Sequence, residues 1–348
     1  MMIGGRAIGP GRPCFVIAEA GVNHDGDPGR AHALIDAAAA AGVDAIKFQT
    51  FDPASLVAPS APRAPYQVAA TGDSSSQFRM LAELRLDPAV YPELADHALE
   101  AGLCFLSTPF DEESASMLAG LGVPGFKLAS PDLVNDPLLE AVAGYGLPLI
   151  LSTGMADLDE CRRALQVARA AGAAQIALLH CVTDYPARPG DCNLRAMATL
   201  RRELDVPVGW SDHTLGAAIA LAAVALGADI VEKHFTVDRT LTGPDHAASL
   251  EPPDLAELLV NIRDVEAALG DGRKVPAAAE ADIAPMVRRS VHYRRDLDPG
   301  AKLTRQDLVM LRPGTGLPPR EARELVGRHL NKGVRAGEMA STEDLRAP

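Results

Sequence analysis

Two lysines and two histidines carry the first chemical signal in this chain. Lys47 stands inside the apolar run Ala45–Gln49 and Lys127 inside Gly125–Leu128. Burying an ammonium group in such surroundings is costly unless an anion meets it. Hydroxyl side chains recur where similar runs end, at Ser107 and Thr108, Ser130, Ser152 and Thr153, Thr183, and Ser211. Lysines beside hydroxyls make a phosphate or carboxylate the natural ligand. His213 and His234 close the last two runs, with Glu232 next to the second. Imidazole is the commonest ligand of catalytic transition metals, so the pair reads either as two hydrogen-bonded structural residues or as a divalent-metal site with positions left open for Lewis-acid work. Glu19, Asn23, Gln49, Asp132, His180, Tyr185, Asp212 and Lys233 stand at run ends as well. One polar residue at a strand end is more often a cap for the next helix; the number of them is what argues for a site.

These residues need elements that bring them together. Short apolar runs over Cys14–Ala18, Ala45–Gln49, Leu103–Ser107, Gly125–Leu128, Leu147–Ser152, Gln175–Cys181, Val206–Trp210 and Asp229–His234 read as strands. Alanine- and leucine-rich stretches over Arg30–Ala41, Ala89–Ala101, Glu112–Leu121, Pro137–Tyr145, Leu158–Ala171, Leu194–Leu204, Gly216–Leu226 and Pro253–Leu269 read as the intervening helices, several with acidic or small polar residues at their starts. Runs such as Leu149-Ile-Leu151 are continuously apolar, as in a parallel sheet covered on both faces. Eight strand–helix units over residues 1–270 predict an α/β (β/α)8 TIM barrel rather than a doubly wound sheet. Chemistry in that fold gathers at the C-terminal strand ends, where the polar residues fall.

Phe51–Asp87 is long for a strand-to-helix connection and predicts a lid or substrate loop on that face. Residues 271–285 read as a linker, and residues 286–348 as a small, turn-rich, mostly β domain. The chain has 348 residues, 47% of them hydrophobic, which excludes global disorder. A net charge of −13 argues against non-specific nucleic-acid binding. The absence of a long apolar run or signal pattern predicts no membrane association and a cytoplasmic location. Cys14, Cys104, Cys161, Cys181 and Cys192 are odd in number and lack CxxC spacing, so neither a disulfide framework nor a zinc knuckle is indicated. Adjacent strand residues face opposite ways, which separates Cys181 from His180 as a nucleophile pair.

The strings Ile17-Ala-Glu-Ala-Gly-Val-Asn-His-Asp-Gly26, Ala45-Ile-Lys-Phe-Gln-Thr50, Ser107-Thr-Pro-Phe-Asp111, Lys127-Leu-Ala-Ser130, Leu151-Ser-Thr-Gly-Met155, His180-Cys-Val-Thr-Asp-Tyr-Pro186, Ser211-Asp-His-Thr214, Glu232-Lys-His-Phe235 and Gly243-Pro-Asp245 occur in this order. Together they resemble the sialic acid synthase family, and Leu311-Arg-Pro-Gly-Thr-Gly316 resembles its C-terminal antifreeze-like (SAF) domain. The resemblance implies condensation of phosphoenolpyruvate with an open-chain N-acetylated amino sugar and water, giving a nonulosonic acid and phosphate. Lys47 and Thr108 would hold the phosphoenolpyruvate carboxylate; Lys127, Ser130, Ser152 and Ser211 its phosphate, with Thr183 beside them. His213 and His234 would bind the divalent ion, Mn2+ with Mg2+ or Co2+ as substitutes. Glu19, Gln49, Tyr185 and Asp245 would meet the sugar hydroxyls, and Arg312 would reach the N-acetyl side from a second subunit, in a domain-swapped homodimer. Asp132, where many members carry Glu, would stabilise the cation at C2 and orient the water.

The segment from Tyr66 to Leu81 resembles members acting on N-acetylmannosamine or on 2,4-diacetamido-2,4,6-trideoxymannose, the precursor of legionaminic acid, and the first is favoured here. A Schiff-base pyruvate aldolase acting through Lys127 or Lys47 is a rival chemistry. A non-enzymatic scaffold would leave the convergent polar set unexplained.

Overall fold

The computed structural model describes residues 1–347, apart from the side chain of Ala69. The chain divides into two compact units, Met1–Gly270 and Asp271–Pro348. The first is built on eight parallel strands: β3 (Phe15–Gly21), β4 (Ala45–Thr50), β5 (Cys104–Pro109), β6 (Phe126–Leu128), β7 (Leu149–Ser152), β8 (Ile176–His180), β9 (Val208–Asp212) and β10 (Ile230–His234). The hydrogen-bonded order runs β5-β4-β3-β10-β9-β8-β7-β6, so the first barrel strand pairs with the last and the ladder stays open only between the neighbouring strands β5 and β6. A helix follows each strand: α1 (Pro28–Ala41), α5 (Tyr91–Glu100), α6 (Glu112–Leu121), α7 (Asp136–Ala143), α8 (Leu158–Ala171), α9 (Ala196–Leu204), α10 (Ala218–Ala225) and α11 (Pro252–Leu269). The TIM-barrel expectation is borne out strand by strand, with ends moved by no more than a few residues.

Strand parity positions the site. Outward residues such as Val16, Ala18, Ile46, Phe48, Leu128, Leu151, Trp210 and Val231 pack under the helices in the main core. The opposite parity faces the barrel axis and changes character along its length. Phe15, Ile17, Ala45, Leu106, Ile150, Ala177, Leu179 and Ile230 form an apolar plug low in the barrel. One pleat higher on the same faces come Glu19, Lys47, Thr108, Ser152 and Glu232. A register slip of one residue would turn every one of these groups into the helical layer.

Two features are not visible as periodic patterns. A short hairpin, β1 (Met2–Ile3) with β2 (Arg6–Ala7), carries Ile3 and Ile8 onto the bottom of the plug. The predicted lid contains three short helices, α2 (Pro53–Leu56), α3 (Pro65–Thr71) and α4 (Gln77–Leu84). Arg63 organises it: Nε donates to Ser75 O at 3.1 Å, Nη1 to Thr71 Oγ1 at 3.0 Å, and Nη2 to Asp73 at 2.6 Å and Ser75 Oγ at 2.7 Å.

In the second unit, residues 271–285 are not featureless. A turn of 3-10 helix covers Ala278–Glu280, and α12 (Ala284–Val287) follows. Beyond it β11 (Ser290–Tyr293) pairs antiparallel with β12 (Leu308–Leu311), and a separate core forms around Val291, Tyr293, Leu308 and Leu330. The helix α13 (Ala322–Leu325) supplies Leu325 to that core.

Candidate active site

A cavity of about 460 Å3 opens at the C-terminal end of the barrel. Its lining contains Glu19, Lys47, Gln49, Thr108, Lys127, Ser130, Asp132, Ser152, Thr183, Tyr185, Ser211, His213, His234 and Asp245. Fourteen of the fifteen predicted site residues therefore converge. The fifteenth, Arg312, is an exposed residue of the second unit.

The floor is an alternating charge chain. Lys47 Nζ lies 2.7 Å from Glu19 Oε2 and 3.7 Å from Glu232 Oε2, while Lys127 Nζ lies 3.7 Å from Glu232 Oε1. The two ammonium groups are thus not unpaired, which corrects the premise on which an anionic ligand was first inferred. Glu232 serves both lysines and also accepts from Ser211 Oγ at 3.0 Å. Burial disfavours its charge, but Lys127 and Lys47 outweigh this and lower its pKa. Burial pushes Glu19 up to about 7 against the pull of Lys47, with Glu232 adding to the rise. Lys47 shows the opposite balance: burial disfavours its charge, yet Glu19 and Glu232 raise its pKa. Burial lowers that of Lys127 despite Glu232. Two positive and two negative groups nearly cancel, so the hydroxyls must supply much of the grip on an anion.

Those hydroxyls form a cradle at one side. Lys47 Nζ donates to Thr108 Oγ1 at 3.1 Å. Ser130 Oγ accepts from Gly154 N at 2.9 Å and lies 3.2 Å from Cys181 Sγ. A Cβ on Gly154 would stand 2.2 Å from Thr183 Oγ1 and 2.8 Å from Ser130 Oγ. Glycine is needed here because the hydroxyls occupy the space of a side chain, a role the sequence signal did not reveal.

The two imidazoles line the same cavity, their ring centroids 5.4 Å apart, with Ser211 Oγ 3.4 Å from His213 Nε2. His213 Nδ1 lies 2.6 Å from Val182 O, and a carbonyl can only accept, so Nδ1 carries the proton. Nε2 is then the lone-pair nitrogen, 3.1 Å from the Tyr185 hydroxyl that donates to it. Burial holds His213 down to about 4 and, reinforced by His213 and Lys47, keeps His234 well below the ordinary range. Both rings are neutral at pH 7. His234 Nδ1 is buried without a hydrogen-bond partner, 3.8 Å from Asp245 Oδ2. Two neutral imidazoles, one with an orphaned buried nitrogen, suit a borderline divalent ion. Among the described residues no cluster of three or more His, Cys, Asp or Glu is placed to hold a metal, so other ligands would have to come from substrate or water.

Asp132 is buried, with Oδ1 accepting from Asn135 Nδ2 at 3.0 Å and Oδ2 lacking any partner. Burial raises its pKa. Other strand-end residues do not join the cavity. Asp212 and Lys233 face outward and pair with each other at 2.9 Å. Asn23 donates to Phe235 O at 2.8 Å, Ser107 meets Thr50 at 2.7 Å, Thr153 donates to Leu179 O at 3.2 Å, and His180 donates to Cys192 O at 2.9 Å. Each is a structural tie, as a strand-end polar residue usually is. All five cysteines are free and buried.

The NeuB family model matches residues 34–274, and the SAF domain matches residues 288–346. The chain belongs to the NeuB family. Its likeness to sialic acid synthases therefore holds over both units. It is 44% identical over 97% of its length to N,N'-diacetyllegionaminic acid synthase of Legionella pneumophila, covering 96% of that protein. A protein of the same name from Campylobacter jejuni is 42% identical over 93% of this chain and 98% of its own. Among solved structures, N-acetylneuraminic acid synthetase from Leptospira borgpetersenii in complex with citrate matches with a TM-score of 0.72 at 37% identity, over 81% of this chain and 94% of that one. As a NeuB protein the chain is an enzyme of the nonulosonic acid synthase class. No helix among the described residues is long and apolar enough to cross a membrane.

Proposed function

We propose that this NeuB enzyme condenses phosphoenolpyruvate with 2,4-diacetamido-2,4,6-trideoxymannose to give N,N'-diacetyllegionaminic acid and phosphate. The single observation that carries the reaction is one cavity that gathers two lysines, a set of hydroxyls and two neutral imidazoles. The acceptor differs from the N-acetylmannosamine favoured above because the Legionella and Campylobacter relatives, at 44% and 42% identity, both carry the legionaminate name.

On this reading Lys47 and Thr108 hold the carboxylate of phosphoenolpyruvate, while Lys127, Ser130, Ser152, Thr183 and Ser211 surround its phosphate. Glu19, Gln49, Tyr185 and Asp245 orient the acyclic sugar. His213 and His234 would hold a divalent ion, Mn2+ with Mg2+ or Co2+ as substitutes, which would withdraw charge from the aldehyde oxygen. C3 of phosphoenolpyruvate bonds to the aldehyde carbon, the C=O π pair moves to the aldehyde oxygen, which takes up a proton from solvent to become a hydroxyl, and positive charge is left at C2. The free oxygen of Asp132 faces that charge and takes a proton from the water that adds to C2. The C–O bond to phosphate then breaks, and the keto acid forms. Arg312 would complete the acceptor side of a partner subunit in a domain-swapped homodimer.

Phosphate release with Mn2+, with each sugar and with or without EDTA, tests the proposal. Metal-dependent release with the diacetamido sugar is expected, and it should vanish in His213→Ala and Lys127→Ala. Release only with N-acetylmannosamine would assign the other acceptor. Borohydride trapping of a pyruvate adduct on Lys127 or Lys47 would replace the reaction with aldolase chemistry. Arg312→Ala should raise KM for the sugar more than KM for phosphoenolpyruvate, and equal effects on both would count against its place on the acceptor side.

A further inference from the structure

The cavity has a chemical division that the reaction alone does not require. Its hydroxyls, lysines and imidazoles lie on strands β4 to β10 or just past their C-terminal ends, whereas the lid supplies an apolar wall to the same space. Leu56, Met80, Leu81 and Leu84 line the cavity together with Val22 and Phe51. These residues form a small hydrophobic cluster of their own, separate from the barrel cores. Met80, Leu84, Val22 and Phe51 are buried, and Leu56 and Leu81 pack against them. Two amide side chains of the lid, Gln67 and Gln77, line the same cavity.

The wall starts from the same strand ends as two groups assigned to the acceptor, since Val22 follows Glu19 at the end of β3 and Phe51 follows Gln49 at the end of β4, and all four line the cavity. A sugar with hydroxyls at C4 and C6 would set two polar groups against carbon with no partner, and an unpaired buried hydroxyl is expensive. A methyl at C6 and an acetamide at C4 would instead bury their methyl groups on the wall and leave the amide to the glutamines. We infer that Leu56, Met80, Leu81 and Leu84 are the specificity determinants for the acceptor, selecting a 6-deoxy, 4-acylamino sugar over its 4,6-dihydroxy counterpart by its apolar groups. This rests on the reaction proposed above and names which part of the site chooses its second substrate. Apolar contacts of this kind discriminate by about 10–200-fold in kcat/KM.

The test compares kcat/KM for 2,4-diacetamido-2,4,6-trideoxymannose and for N-acetylmannosamine in the full-length enzyme and in Leu81→Gln and Leu56→Gln. Both positions are only half-buried, so an added amide has water within reach. The preference for the diacetamido sugar should fall about tenfold or more in each, with KM for phosphoenolpyruvate unchanged. Leu81→Ala, which removes the contact without adding a hydrogen-bonding group, should slow the diacetamido sugar and not improve N-acetylmannosamine. An unchanged ratio in variants that melt like the parent would overturn the inference while leaving the reaction intact. A parent enzyme that prefers N-acetylmannosamine would remove the proposed acceptor, and the wall's role with it.

Discussion

At the scale of single residues, the site is defined as much by what is missing as by what is present. Gly154 has no side chain because Ser130 and Thr183 fill its place. Gly154→Ala should lower kcat/KM for phosphoenolpyruvate by about 100-fold or more, since losing one positioned donor of this kind costs about 10²–10³-fold, and should also lower the melting temperature because the added methyl overpacks the site. Steady-state kinetics with varied phosphoenolpyruvate, beside a thermal melt, checks both halves of the expectation. Asp132 offers a second test. Its pKa is raised by burial, and a base must be ionised to accept a proton, so activity should fall as pH drops through a value above that of an ordinary aspartate. Asp132→Asn should cut kcat by about 10²–10⁴-fold and erase that acid limb. Much of this was legible from types and positions: Lys47, Lys127, His213 and His234 were identified before any geometry. Gly154 was not, because a residue that acts by absence leaves no signal in composition. Nor was the pairing of Glu232 with two lysines on other strands, which only closure of the barrel creates.

At the scale of elements, the barrel strands announce themselves through continuous apolar runs, and their parity then assigns each polar residue to the mouth or to the helical layer. Asp212 and Lys233 show the limit of reading strand ends without parity. They belong to the right strands but to the wrong faces, and they satisfy each other there. The lid was legible only as an unusual length. Its three helices have four, seven and eight residues, too short for a periodic signature. What holds them is the Arg63 guanidinium, whose contacts reach eight to twelve residues along the chain. Arg63→Ala should therefore raise KM for the sugar while sparing KM for phosphoenolpyruvate, and limited proteolysis should cut within residues 53–84 sooner than in the parent. Equal effects on both substrates would show that the lid supports the cradle as well.

At the scale of the whole molecule, two units carry separate cores and separate electrostatic ties. In the second, burial alone would raise the Asp344 carboxyl, but Lys332 Nζ at 2.8 Å, the Ser341 N–H at 2.9 Å and the Tyr293 hydroxyl at 3.1 Å outweigh it, and its pKa is lowered. A carboxylate with a lower pKa folded than unfolded stabilises the fold above its unfolded pKa, and that contribution is lost as pH falls through the folded value. Asp344→Asn should weaken this unit at neutral pH and flatten its acid dependence, read from melting curves between pH 7 and about pH 2. The barrel offers a means of watching each unit alone. Trp210 is the chain's one tryptophan, fully buried on the outward face of β9 beside Ser211, with its ring 5.3 Å from His180. Indole emission from the intact protein consequently belongs to the barrel, and the second unit is dark at that wavelength. Loss of the small unit in acid should leave the emission maximum unmoved, while collapse of the strand that leads into His213 shifts it to the red.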